Sequence, residues 1–412
     1  MNQTHNKPSL LSIAEAEELI RAQLKPVTGF AQLNLHAALG RVLAEDILSP
    51  VDVPNYANSA MDGYALNSNA SALDSATKLQ VIGTALAGHP YTGHVAAGQC
   101  VRIMTGAKLP DGADTVVMQE QTQREGEAIY LSGKLCQGEH VRHPGEDIRQ
   151  GQTVLPQGRL LTPADLGLLA SLGVAEVKVR RRLRVAFFST GDELRSLGEP
   201  LEEGQIYDSN RYTLHGMLQR LGIEIIDMGV IQDRREDITK AFNQGAAMAD
   251  VLITSGGVSV GDADYVKETL ASLGQVNFWK IAMKPGKPLA FGQLGNTAFF
   301  GLPGNPVSSM ATFYQLVQPA LQIMQGQTVS PALRLQVPCT TALKKTPGRV
   351  DYQRGILEHG TDGQLSVRST GPQGSHILSS MSLANCFIIL PAASNNIEAG
   401  SIVEVQPFAG LI

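Results

Sequence analysis

Apolar residues first recur at helical spacing. Ile13, Ala16, Leu19, Ile20 and Leu24 share one face, and Ser12 with Glu15 makes a capping-box pair ahead of them. This predicts a helix over 13–24, followed by a second short one over about 36–44. From Ser49 the period changes. Short apolar runs at 79–82, 100–104, 115–118 and 128–131 alternate with proline and glycine through about Val141, the texture of an all-β module. Its flanks are helical or extended on both sides, so it can be an insertion into a discontinuous N-terminal domain. A helix over 164–172, started by Pro163 and stopped by Gly173, closes that domain.

The basic run Arg180-Arg181-Arg182-Leu183-Arg184 reads as a solvated boundary. Beyond it, strands at 185–189, 223–228, 251–254 and 276–283 and a hairpin over 289–300, turning at Gly295-Asn296, alternate with helices at 210–221, 236–248, 264–273 and 306–324. Such alternation predicts a doubly wound α/β domain. After Gln325 the helical period stops, and short strands with Pro, Gly and Asn395-Asn396 punctuation predict a small β-barrel or sandwich.

A chain of 412 residues exceeds one ordinary core, so about two to four domains are expected. Hydrophobic content of 43% and charged content of 17% suit a soluble globular protein, and a net charge of −5 argues against a dedicated nucleic-acid binder. Cys100, Cys136, Cys339 and Cys386 lie far apart with no C-x-x-C spacing, which predicts reduced thiols without zinc or a disulfide framework. The N-terminal residues have neither a basic n-region nor an apolar h-region, and no run reaches membrane-spanning length. A cytoplasmic location is the expectation.

Three predicted strands end in glycine loops: Ser189-Thr190-Gly191-Asp192-Glu193, then Thr254-Ser255-Gly256-Gly257 running on to Gly261, then Gly301-Leu302-Pro303-Gly304-Asn305-Pro306. In a parallel sheet these fall on one edge and can converge on one ligand, with backbone N–H groups close to an anion. Asn305 and Pro306 read as N-cap and first helical residue. Glu193, Asp208, Asp233, Asp262 and Asp264 cluster in the same loops; carboxylates around a phosphate cradle call for a hard cation, usually Mg²⁺. Asp208 and Asp233 read equally well as helix caps. Lys280, Lys284 and Lys287 around Pro285-Gly286 can neutralise an anion, and Arg349, Arg354 and Ser375 can supply donors to an oxyanion. The loops around Asp62, Thr105 and Asp147 carry ordinary turn chemistry and fit no site by spacing. No catalytic triad, P-loop lysine or nucleophile elbow is present.

In combination these segments are familiar. NSAMDGYA at 58–65, RIMTGA at 102–107 and RHPGEDI at 142–148 resemble the N-terminal half of the MoeA family of molybdopterin molybdenumtransferases. FSTGDEL at 188–194, IYDSN at 206–210, TSGGVSVGDADY at 254–265, MKPGKP at 283–288 and GLPGNPVS at 301–308 resemble its α/β core. KKTPGRVDYQRG at 344–355 and GPQGSHILSSMSLANCF at 371–387 resemble its C-terminal β domain.

The resemblance implies a multidomain α/β plus β architecture: a discontinuous N-terminal helical domain (1–50 and 142–180), an inserted β domain (51–141), a doubly wound α/β molybdopterin-binding domain (181–326) and a C-terminal β-barrel (327–412). It also implies a homodimer whose cleft joins the α/β domain of one subunit to the inserted domain of the other. The implied reaction is Mg²⁺-dependent insertion of molybdenum from molybdate into adenylyl-molybdopterin with release of AMP, with transient contact to other proteins of the cofactor pathway.

By motif position, Glu193, Asp233 and Asp264 would serve the Mg²⁺–nucleotide region, and Lys280 and Lys284 would contact the substrate anion. Lys287, Arg354 and Ser375 would border molybdate, and Asp62, Thr105 and Asp147 would come from the other side of the cleft. Ser255, Gly256, Gly257, Gly261, Pro303, Gly304, Asn305 and Pro306 would form the pterin-phosphate cradle. The nearer alternative is a molybdopterin adenylyltransferase, which shares the SGG-x-x-x-G loop. The more distant one is a non-catalytic scaffold.

Overall fold

The computed structural model describes residues 10–69, 77–257, 265–360 and 363–408. At its centre is a six-stranded sheet. Glu224–Ile231, Arg184–Thr190, Val251–Ser255 and Thr297–Leu302 run parallel; at one edge Pro288–Leu294 pairs antiparallel with Thr297–Leu302, and Gln275–Lys280 antiparallel with Pro288–Leu294. The inner strands are continuous apolar runs because both faces are covered.

Ser209–Arg220 and the helical segments from Pro306 to Met324 pack on one face through Leu214, Leu218, Val307 and Leu316. Arg235–Met248 and Tyr265–Leu273 cover the other through Ile238, Phe242, Val266 and Leu270. Phe242 is wedged edge-on between Phe188 and Phe299, centroids 5.4 and 5.5 Å away. Burying such a ring contributes about 2–3 kcal/mol.

The predicted strand over 276–283 is two strands in two sheets. Gln275–Lys280 stays in the central sheet, whereas Met283–Lys284 pairs in parallel with Val350–His359 of the C-terminal sheet. The reason is local: between the two halves, Ile281 N–H donates to the Lys287 carbonyl at 2.7 Å and Ala282 N–H to the Leu11 carbonyl at 2.7 Å, so neither continues the central ladder. The helix expected over 306–324 contains a π-turn at Phe313–Val317. Pro319 has no N–H to continue the ladder, and the wider turn accommodates it. The helix expected over 36–44 is only Leu35–Ala38, because Gly40 turns the chain at φ 68°.

Strands Phe30–Asn34 and Glu176–Arg180 pair antiparallel, as do Ile47–Leu48 and Thr153–Leu155, around Leu43, Leu161, Leu169 and Val179. The chain leaves and re-enters this unit around a second six-stranded sheet, which spans residues 63–131. Gly63 and Tyr64, read as the end of the loop around Asp62, begin a strand of that sheet, Gly63–Leu66. A Cβ at Gly63 would collide with the Val117 carbonyl, so only glycine lets these strands approach. The first helix, Ile13–Gln23, carries the expected capping box but does not join the Leu43–Leu169 core. Ala16, Ile20 and Leu24 instead belong to the α/β core beside Leu321 and Met324, and Leu11 bridges Ile281.

The C-terminal strands run in the order 283–284, 350–359, 386–390, 402–407, 335–338, with Leu365–Ser369 also on the 350–359 strand. A bridge between Cys339 and Val367 curls this sheet back on itself around Val337, Leu343, Ile388 and Val405. It is a small barrel rather than an open sandwich. The four cysteines are unpaired. Among the described residues no helix is long and apolar enough to cross a membrane.

Candidate functional site

Ser189, Ser255 and Leu302 occupy neighbouring rungs of three adjacent parallel strands. The chain therefore leaves the sheet at one edge in three loops, and these surround a cavity of about 770 Å³. Its walls include Thr190, Gly191 and Glu193 from the first loop, Ser255, Gly256 and Gly257 from the second, and Pro303, Gly304, Asn305 and Pro306 from the third.

The glycines have different reasons to be there. Gly256 and Gly257 adopt φ of 95° and 66°, and a Cβ on Gly256 would lie 2.7 Å from the Thr190 carbonyl oxygen. Gly304 is under no such constraint: its φ is not left-handed, and a Cβ there would meet only Gly256 Cα at 3.9 Å. Its missing side chain widens the cavity. Asn305 stands at the helix N-cap position, but its side chain makes no capping bond, which leaves the amide for the cavity.

One wall is acidic. Burial, then the charges of Asp192 and Glu193, push the Asp233 carboxyl above its ordinary value. Asp233 caps nothing, because the N-cap of the next helix, Arg235–Met248, is Arg234 and no side chain caps it. Asp208 does cap: its Oδ1 accepts from Arg211 N–H at 3.1 Å, while its buried Oδ2 has no partner among the described residues. Among the described residues, no group of three His, Cys, Asp or Glu side chains converges at metal-ligand spacing. Gly261, Asp262 and Asp264 lie outside the described residues.

The expected cationic groups are less uniform. Lys280, Lys284 and Lys287 are exposed and do not line the cavity. Lys284 Nζ lies 3.2 Å from the carboxylate of Asp351, a pairing that spacing could not show. Arg354, expected as a donor to an oxyanion, is fully buried. Its Nε donates to Ser380 Oγ at 2.9 Å, and one terminal nitrogen donates to the Gly374 carbonyl at 3.0 Å. Burial lowers its pKa to about 10, so it keeps its charge at neutral pH. Arg354 thus braces the residue before Ser375, and the Ser375 carbonyl accepts from Val307 N–H at 3.1 Å. The C-terminal barrel is tied in this way to the helix that leaves the third loop.

Asp62 and Thr105 are hydrogen-bonded to each other: Thr105 donates its backbone N–H and its hydroxyl to Asp62 Oδ1 at 2.7 and 2.8 Å. These bonds hold the exposed Asp62 carboxyl below its ordinary value. Asp147 borders a separate cavity of about 500 Å³ with Asn58, Arg142 and Glu146. None of the three borders the α/β cavity of its own chain.

Sequence reasoning missed Asn210, His376 and Leu378, all of which line the cavity. The signal for Asn210 was its position at the start of a helix just past a short strand. His376 offered none, since the barrel had to be docked before it could face the site.

Fold and cavity together define a ligand-binding α/β protein with its site at the carboxyl edge of the sheet, flanked by β domains. Residues 11–173 match the MoeA N-terminal region (domain I and II), 186–323 the probable molybdopterin binding domain, and 336–408 the MoeA C-terminal region (domain IV). The chain is 47% identical to a molybdopterin molybdenumtransferase of Haemophilus influenzae, over 98% of this chain and 100% of that one. It is 38% identical to one from a Nostoc species, over 90% and 87%. A crystal structure of a molybdopterin biosynthesis moeA protein from Pyrococcus horikoshii superposes with a TM-score of 0.85 at 28% identity, covering 97% of this chain and all of that one (100%). The chain belongs to the MoeA family of molybdopterin molybdenumtransferases, transferases of molybdenum cofactor biosynthesis.

Proposed function

We propose that this protein inserts molybdenum from molybdate into adenylyl-molybdopterin and releases AMP, with Mg²⁺ as its metal. The observation that carries the reading is the single cavity in which three glycine and proline loops, suited to phosphate oxygens, face an acidic wall at Glu193 and Asp233. Like-charge crowding at Asp233 fits a cation: a bound Mg²⁺ would relieve the repulsion from Asp192 and Glu193 and neutralise the substrate's pyrophosphate beside them. Glu193 and Asp233 would hold it, with Asp264 the further candidate.

The loops orient the pterin phosphate, and Ser375, held from behind by Arg354, lies where the barrel meets the helix of the third loop. Lys280, Lys284 and Lys287 supply positive charge for the molybdate dianion. The dithiolene sulfurs belong to the substrate, so no protein nucleophile is required. Asp62, Thr105 and Asp147 do not reach the cavity of their own chain, which supports a homodimer in which each subunit's inserted β sheet completes the partner's cleft.

The test is to incubate the purified protein with adenylyl-molybdopterin, Mg²⁺ and molybdate and follow AMP by chromatography. Molybdate-dependent AMP is the expected result. ATP consumption with unmodified molybdopterin would instead identify an adenylyltransferase.

A further inference from the structure

Asn210 is 8% exposed and lies where three strand-end loops meet. Its Nδ2 stands 2.7 Å from Ser255 Oγ and 2.7 Å from the Gly304 carbonyl oxygen. A carbonyl oxygen only accepts, so Gly304 fixes which end of the amide points inward. The same nitrogen then donates to Ser255 Oγ, which is an acceptor in that bond. A hydroxyl whose lone pair is engaged in this way must send its own proton elsewhere. Ser255 is 2% exposed, and its Oγ donates to no acceptor among the described residues; the cavity it lines is the open direction.

We propose that Asn210 is a positioning residue that polarises Ser255: by donating to Ser255 Oγ it turns the Ser255 hydroxyl into a donor aimed at an oxyanion of a phosphate or pyrophosphate ligand. The inference rests on the reading of this cavity as a phosphate-bearing substrate site, and it deepens that reading. A second observation agrees. Asn210 Oδ1 is buried with no partner among the described residues, so the amide is retained at the cost of an unpaired acceptor. Packing alone would be served as well by an apolar side chain of the same shape. Because Nδ2 also holds Gly304, one side chain sets both the donor on the second loop and the width of the third.

The experiment measures binding of inorganic pyrophosphate by calorimetry to the full chain and to Asn210→Asp, Ser255→Ala and the double variant, each checked for folding by its thermal midpoint. Ionised aspartate only accepts. It would take the Ser255 proton for itself and turn a lone pair toward the ligand. Each single variant is expected to bind pyrophosphate about tenfold or more weakly, as for loss of one hydrogen bond to a charged group, and the double variant no more weakly than Asn210→Asp, in which the Ser255 donor is already lost.

The ratio of wild-type to Asn210→Asp affinity is expected to narrow as pH falls, because a protonated carboxyl regains a donor. A purely structural defect would not follow that titration. Unchanged affinity in Ser255→Ala, additive losses in the double variant, or a pH-independent ratio would each overturn the proposal, as would absence of pyrophosphate binding by the wild type. If Asn210→Asp fails to fold, the Ser255→Ala result decides. Pyrophosphate binding without molybdate-dependent AMP release would leave this inference standing while removing the proposed reaction.

Discussion

Lys284 and Asp351 are an ion pair between two paired strands of the C-terminal sheet, Nζ to Oδ2 3.2 Å, with the carboxylate buried and the lysine half exposed. Gln353 holds the same oxygen at 3.3 Å and the Lys344 carbonyl at 2.8 Å. The buried carboxylate is thus fixed, and the lysine is held by it. If Lys284 serves an anion, Asp351 sets where that charge stands. Asp351→Asn should raise KM for molybdate about tenfold, the value of one charge-assisted bond, with a much smaller change in kcat. Steady-state AMP release against molybdate concentration checks this, and equal losses in kcat and KM would point to general disruption instead.

Asp233 gives a pH signature. Its value in the fold lies above its ordinary one, through burial and the charges of Asp192 and Glu193. The folded protein therefore holds this proton more tightly than the unfolded chain. The stabilisation it provides is complete below the ordinary carboxylate range and is lost as pH rises through the raised value. Above that raised value Asp233 is a charge that the metal-free fold tolerates rather than needs. Asp233→Asn should raise the metal-free thermal midpoint at pH 8 by about 1–2 °C and leave it unchanged at acid pH. It should also abolish most of the stabilisation given by added Mg²⁺. Calorimetric scans with and without Mg²⁺ measure both, and a lowered metal-free midpoint would count against the electrostatic account.

Arg354 acts from behind the site. Its guanidinium is split between Ser380 and the Gly374 carbonyl, with no exposed surface. Arg354→Lys keeps the charge but cannot span both acceptors, and it leaves a buried polar group unpaired. The loss should be about 2–3 kcal/mol of stability, together with a fall in activity that exceeds it because Ser375 is released. Denaturant unfolding and AMP release on the same preparation separate the two. Stability loss with full activity in the remaining folded fraction would show that the brace does not reach the site.

Much of this fold was legible in the sequence, for identifiable reasons. The strand at Val251–Ser255 opens on the apolar run Val251-Leu252-Ile253 and is followed by two glycines, and no helix fits so short a buried segment. The three glycine loops could be placed together because parallel strands leave a sheet at one edge. The partition of Lys280 and Lys284 between two sheets could not be read, since the break falls at Ile281-Ala282, where the sequence carries neither glycine nor proline. The burial of Arg354 could not be read for a similar reason. An arginine in an alternating strand looks exposed until its partners, Gly374 and Ser380, are known to lie over it. The first helix showed its cap and apolar face, but not which of two cores that face would meet.

Gly256 and Gly304 separate what the fold needs from what the ligand needs. At Gly256 the left-handed φ and the Thr190 carbonyl 2.7 Å from a Cβ forbid any side chain. Gly256→Ala should cost about 1–3 kcal/mol and lower activity only as the protein unfolds or the loop shifts. At Gly304 an added methyl touches no backbone closer than Gly256 Cα at 3.9 Å, so Gly304→Ala should fold with an unchanged thermal midpoint. The methyl nevertheless occupies space where the cavity meets its third loop, between Pro303 and Asn305. A ligand phosphate approaching the backbone there would be displaced, and near-misplacement of reacting groups is expensive. Gly304→Ala should therefore lose about tenfold or more in kcat/KM while keeping full stability. Equal activity in the two proteins would mean that the ligand does not approach this loop, and the cradle would have to be confined to the first two.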